Sequence, residues 1–168
     1  MRIVLAVIGG VIAALLDASV APFVMPFGQR PDFLLVTTLA VTVTIGSEAG
    51  FVWAFAGGLA LDMLLAPGRP MGSTIIALLL AAGIAAVAAR VAGRNHVATT
   101  VVLTFPLALL YRLALGVLIS AVAGAGGPTS LLGGGLLLAV VDTILVVPIA
   151  LLGRWAWARW AEHDRIEW

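Results

Sequence analysis

Residues 73–91 read STIIALLLAAGIAAVAARV, nineteen residues with one charge, Arg90. As an α-helix rising about 1.5 Å per residue, this stretch is about 28 Å long, close to the ~30 Å hydrocarbon core of a bilayer. Working outward, five more apolar stretches predict spans: Ile3 to about Pro22, about Phe33 to Ile45, Gly50 to Ala66, Val97 to Val122, and about Leu132 to Gly153. The composition agrees. Of 168 residues, 62% are hydrophobic and only 10% charged, and the mean hydropathy is +1.19. Soluble domains carry roughly 25% charged residues. Nine Arg, eight Asp+Glu and no Lys cannot cover such a chain in water. An ordinary soluble enzyme, a disordered chain and a coiled coil are excluded. The expected fold is all-α: a polytopic membrane bundle of six transmembrane helices, forming a single integral membrane domain over residues 1–168.

The second span is the short one. Its thirteen residues give only about 20 Å of helix. It must extend into the preceding loop, sit in a thinned region, or be sheltered by its neighbours. The run Val36, Thr37, Thr38, Val41, Thr42, Val43, Thr44, Ile45 suggests a strand in water. In lipid an open strand leaves its backbone unpaired, so helix is expected. The links are short and rich in breakers: Pro26–Pro31, Gly46-Ser47-Glu48, Pro67–Pro70, Gly93-Arg94-Asn95 and Gly124–Pro128. No internal repeat is evident. Arg2, the first apolar run and Ser19-Val20-Ala21 imitate a signal peptide, but Pro22 follows the would-be cleavage point and Asp17 interrupts its approach. The first stretch therefore reads as a retained span. With six spans, Arg2, Arg90, Arg94, Arg154, Arg159 and Arg165 share one side and Arg30 and Arg69 the other. The Arg bias predicts both termini in the cytoplasm, with Trp155, Trp157 and Trp160 anchoring the exit of the sixth span.

Four ionisable residues fall inside apolar spans: Asp17, Asp62, Arg112 and Asp142. A charge at the bilayer centre costs about 2.5–3.5 kcal/mol on insertion scales, so each needs a partner or a function. Asp17 and Asp62 lie near span ends. Arg112 and Asp142 lie near mid-depth, and the expectation is that they pair, each offsetting the other's desolvation. Such a pair fixes helix register, or lines a ligand cavity, or snorkels to water. Gly50, Ala54 and Gly58, with Gly57 beside them, make a smooth stripe on the third span. Ala81, Ala85 and Ala89 make one on the fourth. Small stripes let helices approach closely, either within the chain or against a partner subunit.

Other chemistries find no support. The net charge of +1 gives no basic patch, so no nucleic-acid partner is expected. There is no cysteine, and His96 and His163 make no metal-ligand pattern. No Gly-rich loop precedes a Lys, and no Ser has a plausible His. Gly133-Gly134-Gly135 reads as a flexible helix start rather than a phosphate cradle. No catalytic residue, cofactor or metal is expected.

The stretch from Arg30 to Ala85 resembles the rod shape-determining protein MreD family. The match begins at Arg30-Pro31-Asp32-Phe33-Leu34-Leu35. It continues through Gly50–Asp62, which ends Gly-Leu-Ala-Leu-Asp, and closes with Pro67 and Pro70-Met71-Gly72. Order, spacing and total length fit, although the second span is Thr/Val-rich where the family is Leu-rich. The resemblance implies a non-enzymatic inner-membrane subunit of the cell-elongation machinery, supporting side-wall peptidoglycan synthesis. It implies work with the bitopic protein MreC, the filament MreB, the glycosyltransferase RodA and a class B penicillin-binding protein. It also implies a fold similar to the substrate-binding membrane subunit of energy-coupling-factor transporters. Asp32, Asp62, Gly58 and Gly72 are the positions that carry over. Asp32 has a local reading as well, as the cap of the second helix. On the scaffold reading, the stripe through Gly58 faces lipid and receives MreC's single helix. A small-molecule-binding transporter subunit is the alternative, with Asp17, Asp62, Arg112 and Asp142 lining a pocket.

Overall fold

The computed structural model describes residues 2–20, 23, 31–65, 70–92, 97–123 and 129–163. These form six α-helices: α1 (Arg2–Ser19), α2 (Phe33–Thr44), α3 (Ser47–Leu64), α4 (Ser73–Ala92), α5 (Val97–Ala123) and α6 (Thr129–His163). Three of them, over Ser73–Val91, Ala98–Val122 and Gly135–Gly153, are long and apolar enough to cross a membrane. The links at 26–30, 67–69, 93–95 and 124–128 lie outside the described residues, as do Arg30, Arg69, Arg94 and Arg165.

The short second helix is the centre of the bundle. α1 packs on α3, α3 on α4, α4 on α5 and α5 on α6, while α2 touches all five others. Nine of its twelve residues are buried, from Leu34 to Val43. Shelter by neighbours is thus the answer to its length. Its threonines are compatible with this burial because their hydroxyls return to the helix's own carbonyls. Thr38 donates to Leu34 O (2.6 Å), Thr42 to Thr38 O (2.7 Å) and Thr44 to Ala40 O (2.6 Å). Such back-bonding satisfies a hydroxyl without an external partner. Thr37 bonds Phe33 O in the same way and also accepts Trp53 Nε1–H from α3 (3.2 Å).

α3 begins at Ser47, so the turn before it is tighter than Gly46-Ser47-Glu48. Gly46 alone reverses the chain at φ +143°, a conformation that favours glycine. The ends of the bundle near that turn and near Arg2 are called the near end here. The ends holding Asp17, Asp32, Asp62 and Ser73 are the far end.

The stripe on α3 does not face lipid. Gly50, Ala54, Gly57 and Gly58 are all buried against this chain's own helices. A Cβ on Gly10 would lie 2.7 Å from Trp53 O, and one on Gly57 would lie 2.8 Å from Gly10 O. A Cβ on Gly50 would meet Thr42 Cα at 2.8 Å, and one on Gly58 would meet Ile75 Cα at 3.0 Å. The four small residues therefore set how closely α1, α2 and α4 approach α3. This corrects the expectation of a lipid-facing dock through Gly58. The stripe is turned inward because α3 has neighbours on three sides. Ala81, Ala85 and Ala89 of α4 are likewise buried. The outward surface instead carries large side chains such as Ile8, Ile12, Val87, Leu136 and Leu152.

The sixth helix runs ten residues past Gly153, and Gly133–Gly135 lie within it rather than at its start.

Overpacking a close crossing costs roughly 1–3 kcal/mol. Gly57→Ala should therefore lower the melting temperature in detergent. Gly83→Ala, whose new Cβ meets only Phe51 Cε1 at 4.0 Å, should leave it near wild type or raise it, since Ala is the better helix former.

Candidate functional site

A helix that begins inside an apolar body brings its first N–H groups with it, and they need acceptors. α2 is such a helix. Asp32 stands at its N-cap position, as the sequence suggests, but its carboxylate makes no capping hydrogen bond. Acceptors arrive from neighbouring helices instead. Asp17 of α1 accepts the Leu34 N–H at 3.3 Å. Asp142 of α6 accepts the Asp32 N–H through Oδ1 at 3.0 Å.

The Asp32 carboxylate turns to α5. Its Oδ2 lies 2.6 Å from Arg112 Nη2, and Asp142 Oδ2 lies 2.8 Å from the same nitrogen. Arg112 and Asp142 thus pair, and Asp32 makes a third member. Asp142 is fully buried, and the Arg112 and Asp32 side chains keep 15% and 19% of their exposure. The two carboxylates flank one guanidinium at the positive end of the α2 dipole, where anionic groups are favoured. The triad joins three helices with one shared cation. Gly135 of α6 lies alongside the Arg112 stem, where an added Cβ would sit 3.9 Å from Cδ. Arg112 Nε is buried and makes no hydrogen bond among the described residues.

The same device recurs on the next hairpin. Asp62, near the end of α3, accepts Gly72 N–H at 2.8 Å and Thr74 N–H at 3.3 Å, capping α4. Gly72 has φ +90°, so glycine is favoured there for its backbone. Arg69 lies outside the described residues.

The two capping aspartates share a local sequence. Leu16-Asp17 is followed by Ala21-Pro22, and Leu61-Asp62 by Ala66-Pro67. Leu-Asp-x-x-x-Ala-Pro thus occurs twice, each time at the far end of a helix whose carboxylate caps the next one. This short repeat is a signal that sequence reading overlooked. It was hidden because the residues around it are apolar and interchangeable.

Of the other sequence candidates, Gly50, Ala54 and Gly58 belong to the α3 crossings and lie apart from the triad. Asp17, Asp32, Arg112 and Asp142 come together at the first turn of α2. Asp62 and Gly72 form a second locus at the first turn of α4. Within the described residues no group of three or more His, Asp or Glu side chains is placed to hold a metal ion. What the triad does chemically is electrostatic: it holds α2, α5 and α6 in one register.

Comparison with protein-family models, with curated proteins and with solved structures found no match to this chain.

Removing one partner of a buried ion pair costs roughly 3–5 kcal/mol, because the remaining charge is left without compensation. Arg112→Ala should therefore sharply reduce the folded fraction seen by size-exclusion in detergent. Arg112→Ala/Asp142→Ala should recover part of it, and fully additive losses would count against the pair. At the second locus, Asp62→Ala should cost about 1 kcal/mol, the usual value of a capping acceptor. Asp62→Asn, which keeps an acceptor oxygen, should cost less in the same melt.

Proposed function

We propose that this chain is a non-enzymatic membrane scaffold of the MreD type. On this reading it is a six-span subunit of the bacterial inner membrane that supports side-wall peptidoglycan synthesis. The near end lies in the cytoplasm, as the Arg bias of the sequence favours. The observation that carries the reading is physical and concerns the motif residues. Gly-Leu-x-x-Asp and Pro-x-Gly are two separate pieces of the resemblance, and here they make one unit. Asp62 accepts the Gly72 N–H, Gly72 takes the φ that glycine favours, and Gly58 lets α4 approach at Ile75. The third piece, Asp32, engages Arg112. Residues that resemble a family pattern are thus the ones that fix how α2, α3 and α4 meet. A pattern conferring architecture rather than catalysis suits a scaffold.

The partner of such a scaffold is an MreC-like bitopic protein, with MreB, RodA and a class B penicillin-binding protein in the wider complex. Its helix is received on an outward face of large apolar side chains, because the small stripe of α3 is used inside the bundle. The alternative, a small-molecule-binding subunit of an energy-coupling-factor type transporter, has one observation in its favour. Arg112 Nε is a buried donor that makes no hydrogen bond among the described residues, as in a site that takes a small acceptor.

Co-expression with the MreC-like protein of the same genome separates these readings. The scaffold reading expects the two to co-purify in mild detergent. It also expects Gly58→Leu to reduce the amount of folded bundle rather than to release the partner from bundle that has folded. Absence of co-purification, together with a rise in melting temperature on a panel of vitamins, would select the transporter subunit instead.

A further inference from the structure

Packing around α2 is open on one side. Helices of equal width fit six around one, so each neighbour takes about 60° of the circumference. α2 has five neighbours, joined by four crossings in the order α1, α3, α4, α5, α6. Those four steps take up about 240°. Among the described residues α1 and α6, the two ends of the series, do not pack on each other. The remaining arc of about 120° is wide enough for one more helix. With interaxial distances of about 8–10 Å, it sets the axes of α1 and α6 about 14–17 Å apart.

Burial along α2 marks the same side. Within the helix only Phe33, Thr37 and Thr44 keep partial exposure. At about 100° per residue they fall in one sector about 40° wide. What flanks this stripe identifies the sector. Thr44 lies beside α6, where a Cβ on Gly153 would meet its hydroxyl oxygen at 3.8 Å. Thr37 accepts the Trp53 ring N–H, and that ring reaches α1, where a Cβ on Gly9 would collide with it. The stripe therefore looks out between α1 and α6. α1 itself has the burial of a helix at the end of a series. It is buried along one face, through Ala6, Gly10, Ala13 and Asp17, while Ile8, Ile12 and Leu15 on the opposite face are exposed.

We infer that the place between α1 and α6 is the seat of a single transmembrane helix of the bitopic partner. This rests on the scaffold reading and names the part of the outward surface that the partner uses. Area selects the seat over any other outward face. A helix as long as α1, eighteen residues, is about 27 Å long and presents roughly 1,100 Å² of accessible side surface. In the seat it meets α1, α2 and α6, three of its six flanks, and buries about half of that surface. Counting both partners, about 1,100 Å² is buried, which reaches the ~1,000 Å² that a specific interface needs. On one flank of a single helix it would bury about a third as much. The floor of the seat also states the chemistry of its occupant. Threonine and Ala40 keep the floor shallow, so a helix with Gly, Ala or Ser at every fourth position approaches most closely. The Thr44 hydroxyl donates its proton to Ala40 O at 2.6 Å, and its oxygen can accept from a Ser or Thr of the incoming helix.

Photocrosslinking in the full-length chain, co-expressed with the MreC-like protein of the same genome, tests the seat. The probe is p-benzoylphenylalanine, placed singly at Phe33 in the seat, or at Phe55 on α3 or Phe105 on α5, both exposed outside it. Illumination should join Phe33 to the partner's transmembrane helix and leave Phe55 and Phe105 without a partner adduct. Gly153→Leu, whose side chain would lean over Thr44, should lower the partner recovered per folded bundle about ten-fold. Ile144→Phe, at an exposed position of the same helix, should leave recovery unchanged. A partner that co-purifies but crosslinks equally, or only, at Phe55 or Phe105 would overturn the seat and leave the scaffold reading standing. Adducts at Phe33 with lipid alone, or with a second copy of this chain, would overturn the seat as well. Failure to co-purify at all would overturn both. Where Gly153→Leu does not fold, the adducts decide alone.

Discussion

The structure turns on the N-terminus of α2, a helix of twelve residues buried along nearly its whole length. An apolar surround offers no water to its leading N–H groups. Orphan donors in such a place cost several kcal/mol each. Two carboxylates from other helices answer this demand, Asp17 and Asp142, while Arg112 ties Asp142 to the Asp32 carboxylate at the N-cap. Several embedded charges of the sequence thus have a common cause. They compensate a helix end, and the guanidinium compensates them.

Much of the secondary structure was legible. Ser73–Val91 and Val97–Val122 match α4 and α5 to within a residue at their ends, because helix length in an apolar chain is set by where charges and breakers fall. The pairing of Arg112 with Asp142 was legible too, since depth within a span can be counted along the sequence. The partner of Asp32 was not. A carboxylate after Pro31 reads locally as a cap, and nothing local announces a cation 80 residues away. The direction of the α3 stripe was equally hidden. When a helix is apolar all round, the sequence pattern does not say which face meets protein and which meets lipid. Only the packing of α3 against α1, α2 and α4 resolves it.

The Thr-rich character of α2, which weakened the family resemblance locally, has its own explanation. A leucine helix at the bundle's centre would fill the same space, but threonine keeps a narrower profile. Its hydroxyls disappear into the i−4 carbonyls, and Thr37 still accepts Trp53. Close crossings such as Thr42 on Gly50 follow from that narrowness. Small residues on α3 and compact residues on α2 are two halves of one close approach.

The distance along the chain between Asp32 and its acceptor on α6 also dictates an order of events during synthesis. The two are 110 residues apart. At about 5–20 residues per second, a ribosome needs about 5–20 s to make what separates them. For the first 80 residues of that interval neither Arg112 nor Asp142 exists, and for the last 30 Asp142 is still missing. The innermost helix of the finished protein is therefore among the first made, and its Asp142 acceptor is among the last. Until the final hairpin arrives, its leading turn has Asp17 as an acceptor and lacks Asp142.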